Sequence, residues 1–580
     1  MCDHLKIIRL KQFFPILTWL PNYKKDYLSD DLFAGLTVGV MLIPQGMAYA
    51  LIAGLPPVYG LYASVVPQLI YAIFGTSRQL SVAPVAMDSL LVATGVSVLA
   101  TEGTDAYITF AIMLAFFMGI AQFSLGLIRM GFITNLLSKP VISGFTSAAA
   151  VIIGLNQLKY LLGIDVARAN EIHKVLASAF EKITEVHWLT LIIGIAGIVF
   201  LKLSKKLSPK IPGALVAVVV GILVVFGLGL DEKGVSVVQD IPQGLPAFIL
   251  PDLSWELVQK LLPLSLTIAV VAYMEAFSVA KALEAKRRNY KVMPNQELIA
   301  LGAANIVGSL FQSYPVTGGF SRSAVNEQSG AQTPLASIIS AALVALTLLF
   351  LTPLFYHLPH AILAAIIMVA VSGLIDTQYI VTLWKTNKVE LGLLLATALV
   401  TLVVGMVPGI VSGIILSVLI LLFKAANPHM ALLGRVKGFS EYRNLKRFDN
   451  LETWKELMIV RVDVPFVFVN IQTIKERITN AALDREGKLK YVILDAGSVN
   501  HMDATGIIGV RDLIDSLKEK DITLIFAEVI GPVRDAMYKN DLVNNESGKM
   551  FFLTTDDAVK YCLSEEVEAS REKMALQTNA

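Results

Sequence analysis

The chain has 580 residues, of which 55% are hydrophobic and only 16% are charged, and its mean hydropathy is +0.65. A soluble globular protein carries roughly 25% charged residues, so this composition excludes that class and predicts a polytopic protein of the lipid bilayer. The 48 basic and 46 acidic residues leave a formal net charge of +2, which gives no reason to expect a nucleic-acid partner.

The N-terminal residues 1–30 are polar, basic and aromatic. They lack the apolar core and the small-residue cleavage site of a signal peptide, so we interpret them as a cytoplasmic segment.

Apolar segments then follow one another through residues 31–427, which we predict to be the transmembrane domain. A spanning helix needs roughly 20 apolar residues, which gives about fourteen candidates, several of them shortened by Gly and Pro. Two halves of about seven spans each must be inserted in opposite orientations, so we expect an inverted repeat.

Lysine and arginine cluster in two loops of this region, and such residues accumulate on the cytoplasmic side of a membrane. The loops contain Lys202, Lys205, Lys206 and Lys210, and Lys281, Lys286, Arg287, Arg288 and Lys291. Both termini are therefore predicted to be cytoplasmic, with the acidic loops at residues 102–105 and 231–232 outside.

Two Gly/Ser-rich breaks interrupt the apolar sequence at corresponding positions of the halves. The first runs from Gly75 to Ala86 and the second from Pro315 to Ala324. Each predicts a short extended piece that leads into a half-length helix. Two such helix N-termini would aim their positive dipole ends at one point and form an anion site. Non-helical backbone at membrane depth must be buried in protein or line a cavity, so the breaks indicate the transport pathway.

Glu275 and Arg322 are isolated charges within this apolar sequence. An unpaired charge at membrane depth is costly, so both are expected to face a cavity or a partner, and a purely structural ion pair between them is the alternative. Asp88, just after the first break, is interpreted either as a second titrating group or as a buried, hydrogen-bonded acid. If charged, it would repel a dianion nearby.

The segment Asp31–Gly60, with Leu42–Ala50 inside it and Leu55–Tyr62 at its end, resembles the signature of the sulfate permease family, the relatives of solute carrier family 26. Gly75–Arg78, Leu155–Gly163 and the run from Asn295 through Asn305 to Ser323 add to the resemblance. It implies a fold similar to uracil permease, in which a mobile core domain moves against a gate domain in an elevator-type mechanism. It also implies a homodimer in the cell (inner) membrane.

The same resemblance implies that the substrate lies between the two half-helix N-termini. The implied substrate-binding residues are Gln45, Tyr49, Val85, Ala86, Gly319, Phe320, Ser321, Arg322 and Ser323. Gln45 and Tyr49 share one helix face, and ordinary helix packing is the alternative for them. For Ser321 and Ser323 the alternative is capping of a helix start.

Glu275 matches the acidic position that proton- or sodium-coupled members use. We hypothesise that Glu275 pairs with Arg322 until a dianion draws the arginine away, after which the carboxylate takes up a proton more readily. Anion and proton would then travel together without a metal or cofactor. His357 and His360 lack a second pair of ligands, so no metal site is expected.

The C-terminal part alternates short strands and helices, from Leu457 to about Val529, which predicts a small α/β domain with a mixed sheet over residues 456–564. Residues 428–455 are predicted to be a linker, and residues 565–580 a mobile tail. The domain resembles the sulfate transporter and anti-sigma factor antagonist (STAS) family, and its phosphorylatable loop matches Asp503 and Thr505. Regulation by phosphate at this helix start is one interpretation, and helix capping is the other.

The predicted function is therefore secondary active anion transport, with proton-coupled sulfate symport as the first choice. The expected partners are a small oxyanion, a proton, the bilayer, a second copy of the chain and a cytoplasmic partner of the STAS domain. Bicarbonate or C4-dicarboxylate transport are alternatives in the same class, and an anion channel or a STAS-based membrane sensor are alternatives in another. No arrangement of nucleophile and base suggests an enzyme.

Overall fold

The computed structural model describes residues 11–135, 138–164, 172–207, 213–250, 255–485, 488–542 and 550–565. It divides into two units, Met1–Ser417 and Val418–Ala580. Lys210 and most of the predicted C-terminal tail lie outside the described residues.

The first unit is built from helices, the last of which continues past the unit boundary at Ser417. In chain order they are α1 (Ile16–Trp19), α2 (Tyr27–Ile52), α3 (Pro57–Tyr62), α4 (Val66–Phe74), α5 (Ala86–Val96), α6 (Asp105–Leu127), α7 (Lys139–Asn156), α8 (Leu158–Leu162), α9 (Ile172–Glu181), α10 (Trp188–Leu207), α11 (Gly213–Leu228), α12 (Trp255–Arg287), α13 (Pro294–Leu310), α14 (Phe320–Gln328), α15 (Leu335–Leu346), α16 (His360–Ser372), α17 (Thr377–Thr386), α18 (Lys388–Val403) and α19 (Met406–Ala426). The only strands described in it are β1 (Val82–Ala83) and β2 (Thr317–Gly318).

Eight helical segments among the described residues are long and apolar enough to cross a membrane. They are Tyr27–Ile52, Pro57–Phe74, Asp105–Leu127, Lys139–Leu162, Leu257–Arg287, Leu335–Phe355, His360–Thr386 and Pro408–Ala426. Three shorter apolar helices accompany them, one of which is α5. The prediction of a polytopic helical membrane protein is confirmed, and the count of about fourteen spans stays a prediction.

Glycines allow helices of the first unit to touch at their backbones. A Cβ atom on Gly60 would lie 1.9 Å from the carbonyl oxygen of Gly46, and one on Gly302 would lie 2.4 Å from the backbone nitrogen of Phe123. Small residues at such crossings are typical of helix packing in membranes, where backbones approach closely. The first contact joins α2 to α3, within the segment that carries the family signature.

The second unit contains a seven-stranded sheet. Its strands are β3 (Met430–Val436), β4 (Tyr442–Asn444), β5 (Leu451–Glu452), β6 (Leu457–Val462), β7 (Tyr491–Asp495), β8 (Thr523–Ala527) and β9 (Phe551–Phe552). The order is β4-β3-β6-β7-β8-β9, and β5 pairs with β3. The strands from β6 to β9 are parallel, whereas β3 is antiparallel to β6.

Helices alternate with the parallel strands of this unit: α20 (Ile471–Leu483) follows β6, α21 (Ala504–Lys518) follows β7, and α22 (Gly531–Lys539) follows β8. Residues 555–565 are also helical, after β9. Alternate residues of β6 enter different cores. Met458 and Val460 pack with α20 residues such as Ile474, whereas Ile459 packs with Val559 in a second cluster. This period of two is the pattern of a strand that is buried on both faces.

The predicted alternation and the mixed sheet are confirmed in the second unit. Strands and helices alternate between Leu457 and Ala527, as in the strand Leu457–Val462, the helix Ile471–Leu483 and the strand Tyr491–Asp495. The predicted linker differs from the structure, because residues 428–455 contain β3, β4 and β5. Their apolar side chains, such as Leu433 and Tyr442, are buried in the second core cluster, so this segment belongs to the sheet.

Candidate functional site

The two breaks lie side by side. β1 and β2 pair antiparallel, with Val82 opposite Gly318 and Ala83 opposite Thr317. Beyond the strands, the backbone N–H of Gly319 donates to the Ser81 carbonyl at 3.1 Å. The Ser81 N–H donates to the Ser323 hydroxyl at 2.9 Å. Each strand leads into a short helix, so the pairing brings the two helix starts together.

The helix starts are the N-termini of α5 and α14. The residues that precede them, Val85 and Gly319, are extended, and neither helix start has a side-chain cap. A Cβ atom on Gly319 would lie 3.2 Å from Cγ1 of Val85, so the two starts are in contact. Two positive helix ends without capping side chains form a place that favours an anion.

Arg322, in the first turn of α14, is only 2% exposed. Its Nη2 donates to the carbonyl oxygen of Ala83 at 3.2 Å, while its Nε finds no hydrogen-bond partner in the described ranges. The guanidinium lies against the backbone of Gly319, where a Cβ would be 2.7 Å from Nη2. A buried guanidinium with a free N–H can donate a hydrogen bond to an anionic ligand without a change of helix position.

Glu275 lies on α12, and Asp88 lies in the first turn of α5. Glu275 borders a cavity of about 40 Å³ that is otherwise apolar, lined for example by Phe145 and Met274. Among the residues that the structure describes, the Glu275 Oε2 atom has no hydrogen-bond partner, and neither carboxylate oxygen of Asp88 has one. Asp88 is fully buried, and no protein group among the described residues gives it the hydrogen bond that the second interpretation requires.

The direct ion pair proposed between Glu275 and Arg322 is not formed. Within the described part of the chain, no Arg322 nitrogen lies within 4.0 Å of a Glu275 oxygen, since the guanidinium is turned to Ala83. The two charges nevertheless interact electrostatically, and Tyr49 interacts with both. Asp88 interacts with Glu275 in the same way. Glu275 thus interacts with Arg322 on one side and with Asp88 on the other, without a direct ion pair to the arginine among the described residues.

The remaining predicted residues divide by exposure. Gln45 and Tyr49 on α2 are buried, and no described residue donates a hydrogen bond to the Oε1 atom of Gln45. Val85, Ala86, Gly319 and Ser323 are also buried, whereas Phe320 and Ser321 are exposed. The Ser323 hydroxyl accepts from Ser81, so it also holds the two breaks together.

Two further residues shape the site, and our sequence analysis did not single them out. The Tyr314 hydroxyl lies 3.1 Å from Ser89 Oγ and interacts electrostatically with Arg322. Asn305 binds the second break through both polar atoms of its side-chain amide. Its Nδ2 donates to the Val316 carbonyl, and its Oδ1 accepts from the Val316 N–H. Tyr314 could have been found from the sequence, because it directly precedes Pro315 at the start of the second break. The role of Asn305 could not, because it depends on a tertiary contact.

The predicted regulatory loop of the second unit begins α21. Asp503 accepts from the Gly506 N–H at 2.7 Å and from the Phe468 N–H at 2.9 Å. Slight burial raises the pKa of Asp503, but these two amide donors outweigh it and hold the pKa below its usual range. Asp503 is thus a helix cap, while Thr505 is exposed in the first turn.

The histidines at 357 and 360 take separate partners. His357 Nδ1 lies 3.1 Å from an Asp231 oxygen, and His360 stacks on the Tyr160 ring. No group of three or more His, Cys, Asp or Glu side chains suited to a metal occurs within the described ranges.

Sequence comparison gives two family matches. Residues 28–397 match the family described as "Sulfate permease family", and residues 449–558 match "STAS domain". Two relatives from Arabidopsis thaliana are "Sulfate transporter 4.1, chloroplastic" and "Probable sulfate transporter 4.2". The first is 39% identical over 95% of this chain and 82% of its own length, and the second is 38% identical over 95% and 83%.

Structure comparison agrees with the sequence. The murine Solute Carrier 26 family member A9 anion transporter in the inward-facing state matches with a TM-score of 0.88 and 26% identity, over 96% of this chain and 95% of that one. The transmembrane domain of a cyanobacterium bicarbonate transporter matches with a TM-score of 0.59 and 23% identity, over 68% of this chain and 98% of that one. The latter likeness concerns the fold alone.

Proposed function

This chain belongs to the sulfate permease family, a family of transporters rather than enzymes, and we propose that it is a secondary active anion transporter that couples sulfate to protons. The observation that carries this proposal is the contact between two uncapped helix starts beside the buried cation of Arg322. The names of its relatives, which are sulfate transporters, favour sulfate as the anion.

In this proposal the anion lies at the two helix starts. The backbone amides of the α5 and α14 first turns supply hydrogen-bond donors, and Arg322 supplies the charge. Gln45 and Tyr49 form the adjoining wall from α2. Val85, Ala86, Gly319, Phe320, Ser321 and Ser323 complete the set of proposed substrate-binding residues. Because helix ends recognise charge more than shape, specificity among small oxyanions falls to these side chains.

Glu275 is the proposed proton carrier. It borders the small apolar cavity and has an oxygen without a hydrogen-bond partner. Arg322 stabilises the ionised form of Glu275 through the Coulomb interaction between them. A bound dianion would compensate that cation and repel the carboxylate, so proton uptake at Glu275 would accompany anion binding. This coupling needs electrostatic proximity rather than a direct ion pair.

Asp88 is proposed as a second titrating group, because both its oxygens are buried without a partner among the described residues and it interacts with Glu275. A neutral Asp88 removes the repulsion that a charged one would exert on a dianion. We therefore expect Asp88 to be protonated whenever sulfate is bound.

The proposed arrangement of the chain in the membrane follows from its family. We propose about fourteen spans in two inverted halves, a core domain with the helix starts that shifts against a gate domain, and a homodimer. The chain would reside in the cell (inner) membrane, with both termini and the STAS domain cytoplasmic. Thr505 would be the modifiable hydroxyl, and it would alter the docking of a cytoplasmic partner.

The test is uptake of radiolabelled sulfate by proteoliposomes that contain the full chain, under an inward proton gradient, with bicarbonate and succinate as competitors. Uphill uptake of labelled sulfate that unlabelled sulfate inhibits more strongly than bicarbonate or succinate does supports sulfate symport. Stronger inhibition by bicarbonate or by succinate would reassign the substrate to that anion. Passive equilibration without accumulation would indicate a channel, and anion binding without flux would indicate a sensor.

A further inference from the structure

A second cavity, of about 320 Å³, opens beside the start of the first break. Its walls come from the N-terminal segment, from the turn after α4 and from the segment between α12 and α13. Three of its lining residues are basic, namely Lys11, Arg78 and Lys291, and none is acidic. The cavity is therefore positively charged as well as concave.

No acid pairs with these three cations in the part of the chain that the structure describes. Across the ranges that the structure describes, none of them lies within 4.0 Å of a carboxylate. The neighbouring basic residues Lys286 and Arg287 differ, because both pair with Glu327. The positive charge of the cavity is thus uncompensated, whereas that of the adjacent helix end is neutralised.

Glu297 bonds the cavity-lining residue Thr76, and its carboxylate oxygens already accept several hydrogen bonds. Glu297 accepts hydrogen bonds from the Tyr71 hydroxyl at 2.6 Å and from the Thr76 N–H at 2.8 Å. It also accepts from the Thr76 hydroxyl and, at 3.2 Å, from the Ser77 N–H. Glu297 therefore fixes the backbone of the turn from the inside. It leaves the neighbouring Arg78 side chain in the cavity wall.

Arg78 is the fixed element of this cavity. Its guanidinium lies 5.7 Å from the centre of the Tyr290 ring, and the side chain is partly buried. Lys11 and Lys291 are exposed and can turn toward a ligand. One arginine held against an aromatic ring, with two mobile ammonium groups near it, suits a phosphate group that takes a bidentate bond and additional point charges.

The surroundings indicate where such a phosphate comes from. Leu17 and Leu20, in and just after α1, are 38% and 54% exposed, whereas Trp19 between them is buried. Exposed leucines beside a basic cavity are typical of a segment that lies in the membrane interface. The cavity volume also lies at the lower end of ligand pockets, roughly 300 Å³ and above, so it has room for more than an inorganic ion.

We propose that this cavity binds the phosphate-bearing headgroup of an anionic membrane lipid. The site goes beyond the proposed transport function, because its residues are different from those of the helix-start site. Free phosphate shares the same recognition chemistry, so the source has to be distinguished by experiment.

The experiment measures lipid binding to the purified full chain by native mass spectrometry, which needs no transport. The probes are dihexanoyl phosphatidylglycerol, dihexanoyl phosphatidylcholine and inorganic phosphate. The test variant is K11Q/R78Q/K291Q, and Arg78→Gln alone isolates the fixed cation. The control variant K202Q/K385Q/K388Q removes three exposed lysines elsewhere in the first unit and so has the same net charge.

We expect the wild type and the control to bind phosphatidylglycerol at least about tenfold more tightly than phosphatidylcholine, a preference that weakens with salt. The test variant should lose this preference, while its thermal unfolding without lipid stays that of the control. Equal binding of the two lipids, or equal loss in the control, would overturn the proposal. Saturable binding of phosphate alone, lost in the test variant, would keep a phosphate site but refute the lipid source.

Discussion

The Arg322 guanidinium donates to the carbonyl oxygen of Ala83 across a distance of 3.2 Å, so the arginine of one break is bound by the backbone of the other. The bond adds to the β1–β2 pairing and holds the cation at the junction of the two helix starts. A positive charge at this junction is stabilised by an anion in the same place.

Gly319 provides the space for this arrangement. Its backbone is extended, with φ −84° and ψ 129°, so alanine fits the conformation, but its Cβ would lie 2.7 Å from Arg322 Nη2. We predict that Gly319→Ala displaces the guanidinium and raises KM for sulfate by about tenfold, equivalent to about 1.4 kcal/mol. Sulfate uptake at varied concentration measures this change.

Gly392→Ala is the matched control for that change. Gly392 lies inside α18, where a Cβ would meet nothing within 4 Å. Alanine is a better helix former than glycine, by about 0.8–1.0 kcal/mol, so this variant should transport normally and unfold at the same or a higher temperature. An unchanged KM in Gly319→Ala would show that the position of the guanidinium does not govern binding.

Ser323 and Ser321 provide a second comparison. The Ser323 hydroxyl is buried and accepts from the Ser81 N–H, whereas Ser321 is exposed. Ser323→Ala leaves a buried N–H without an acceptor and should destabilise the protein by about 1–3 kcal/mol. Ser321→Ala should stay within about 0.5 kcal/mol of the wild type. Thermal unfolding of both variants in detergent tests this, and equal unfolding temperatures would contradict the structural role of Ser323.

In the second unit, Asp556 predicts a pH dependence of stability. The Lys560 ammonium, 2.7 Å away, holds the pKa of Asp556 below its usual range. Burial acts in the opposite direction, and the Tyr442 hydroxyl, which donates at 3.0 Å, adds to the lowering. A depressed folded-state pKa means that this stabilisation is present above the unfolded value of about 3.9 and is lost as the pH falls through the folded value.

Asp556→Asn should therefore destabilise the second unit at pH 7, by about 1–3 kcal/mol for the loss of charge-assisted hydrogen bonds. The difference from the wild type should shrink below about pH 4. Denaturant unfolding of the full chain, followed by protease cleavage within the second unit, measures it at each pH. A difference that stays constant between pH 7 and pH 3 would show that the carboxylate charge does not contribute.

The sequence was most informative where local chemistry decides the structure. The breaks around Ser81 and Thr317 carry glycine, serine and proline where an apolar helix would need none, and both were found as extended pieces before short helices. In the second unit, the short, mostly apolar run Leu457–Val462 predicts a strand. Met458 and Ile459 enter different cores because successive side chains of a strand point to opposite faces.

Tertiary contacts explain what could not be predicted. Glu275 and Arg322 are both isolated charges, which suggested a direct pair, but the Ala83 carbonyl competes for the guanidinium because β1 and β2 bring it there. Similarly, the strand at Met430–Val436 lies in a segment that is rich in charge further on, and its place in the sheet depends on its pairing with β6. Neither partner is near in sequence.

The most direct test of proton coupling through Glu275 is the simultaneous measurement of sulfate and proton influx in proteoliposomes, wild type beside Glu275→Gln. The account predicts that wild-type sulfate influx carries protons with it, and that Glu275→Gln abolishes uphill accumulation and proton influx while sulfate counterflow exchange continues. Accumulation of sulfate by Glu275→Gln under the same gradient, with protons still entering, would contradict it.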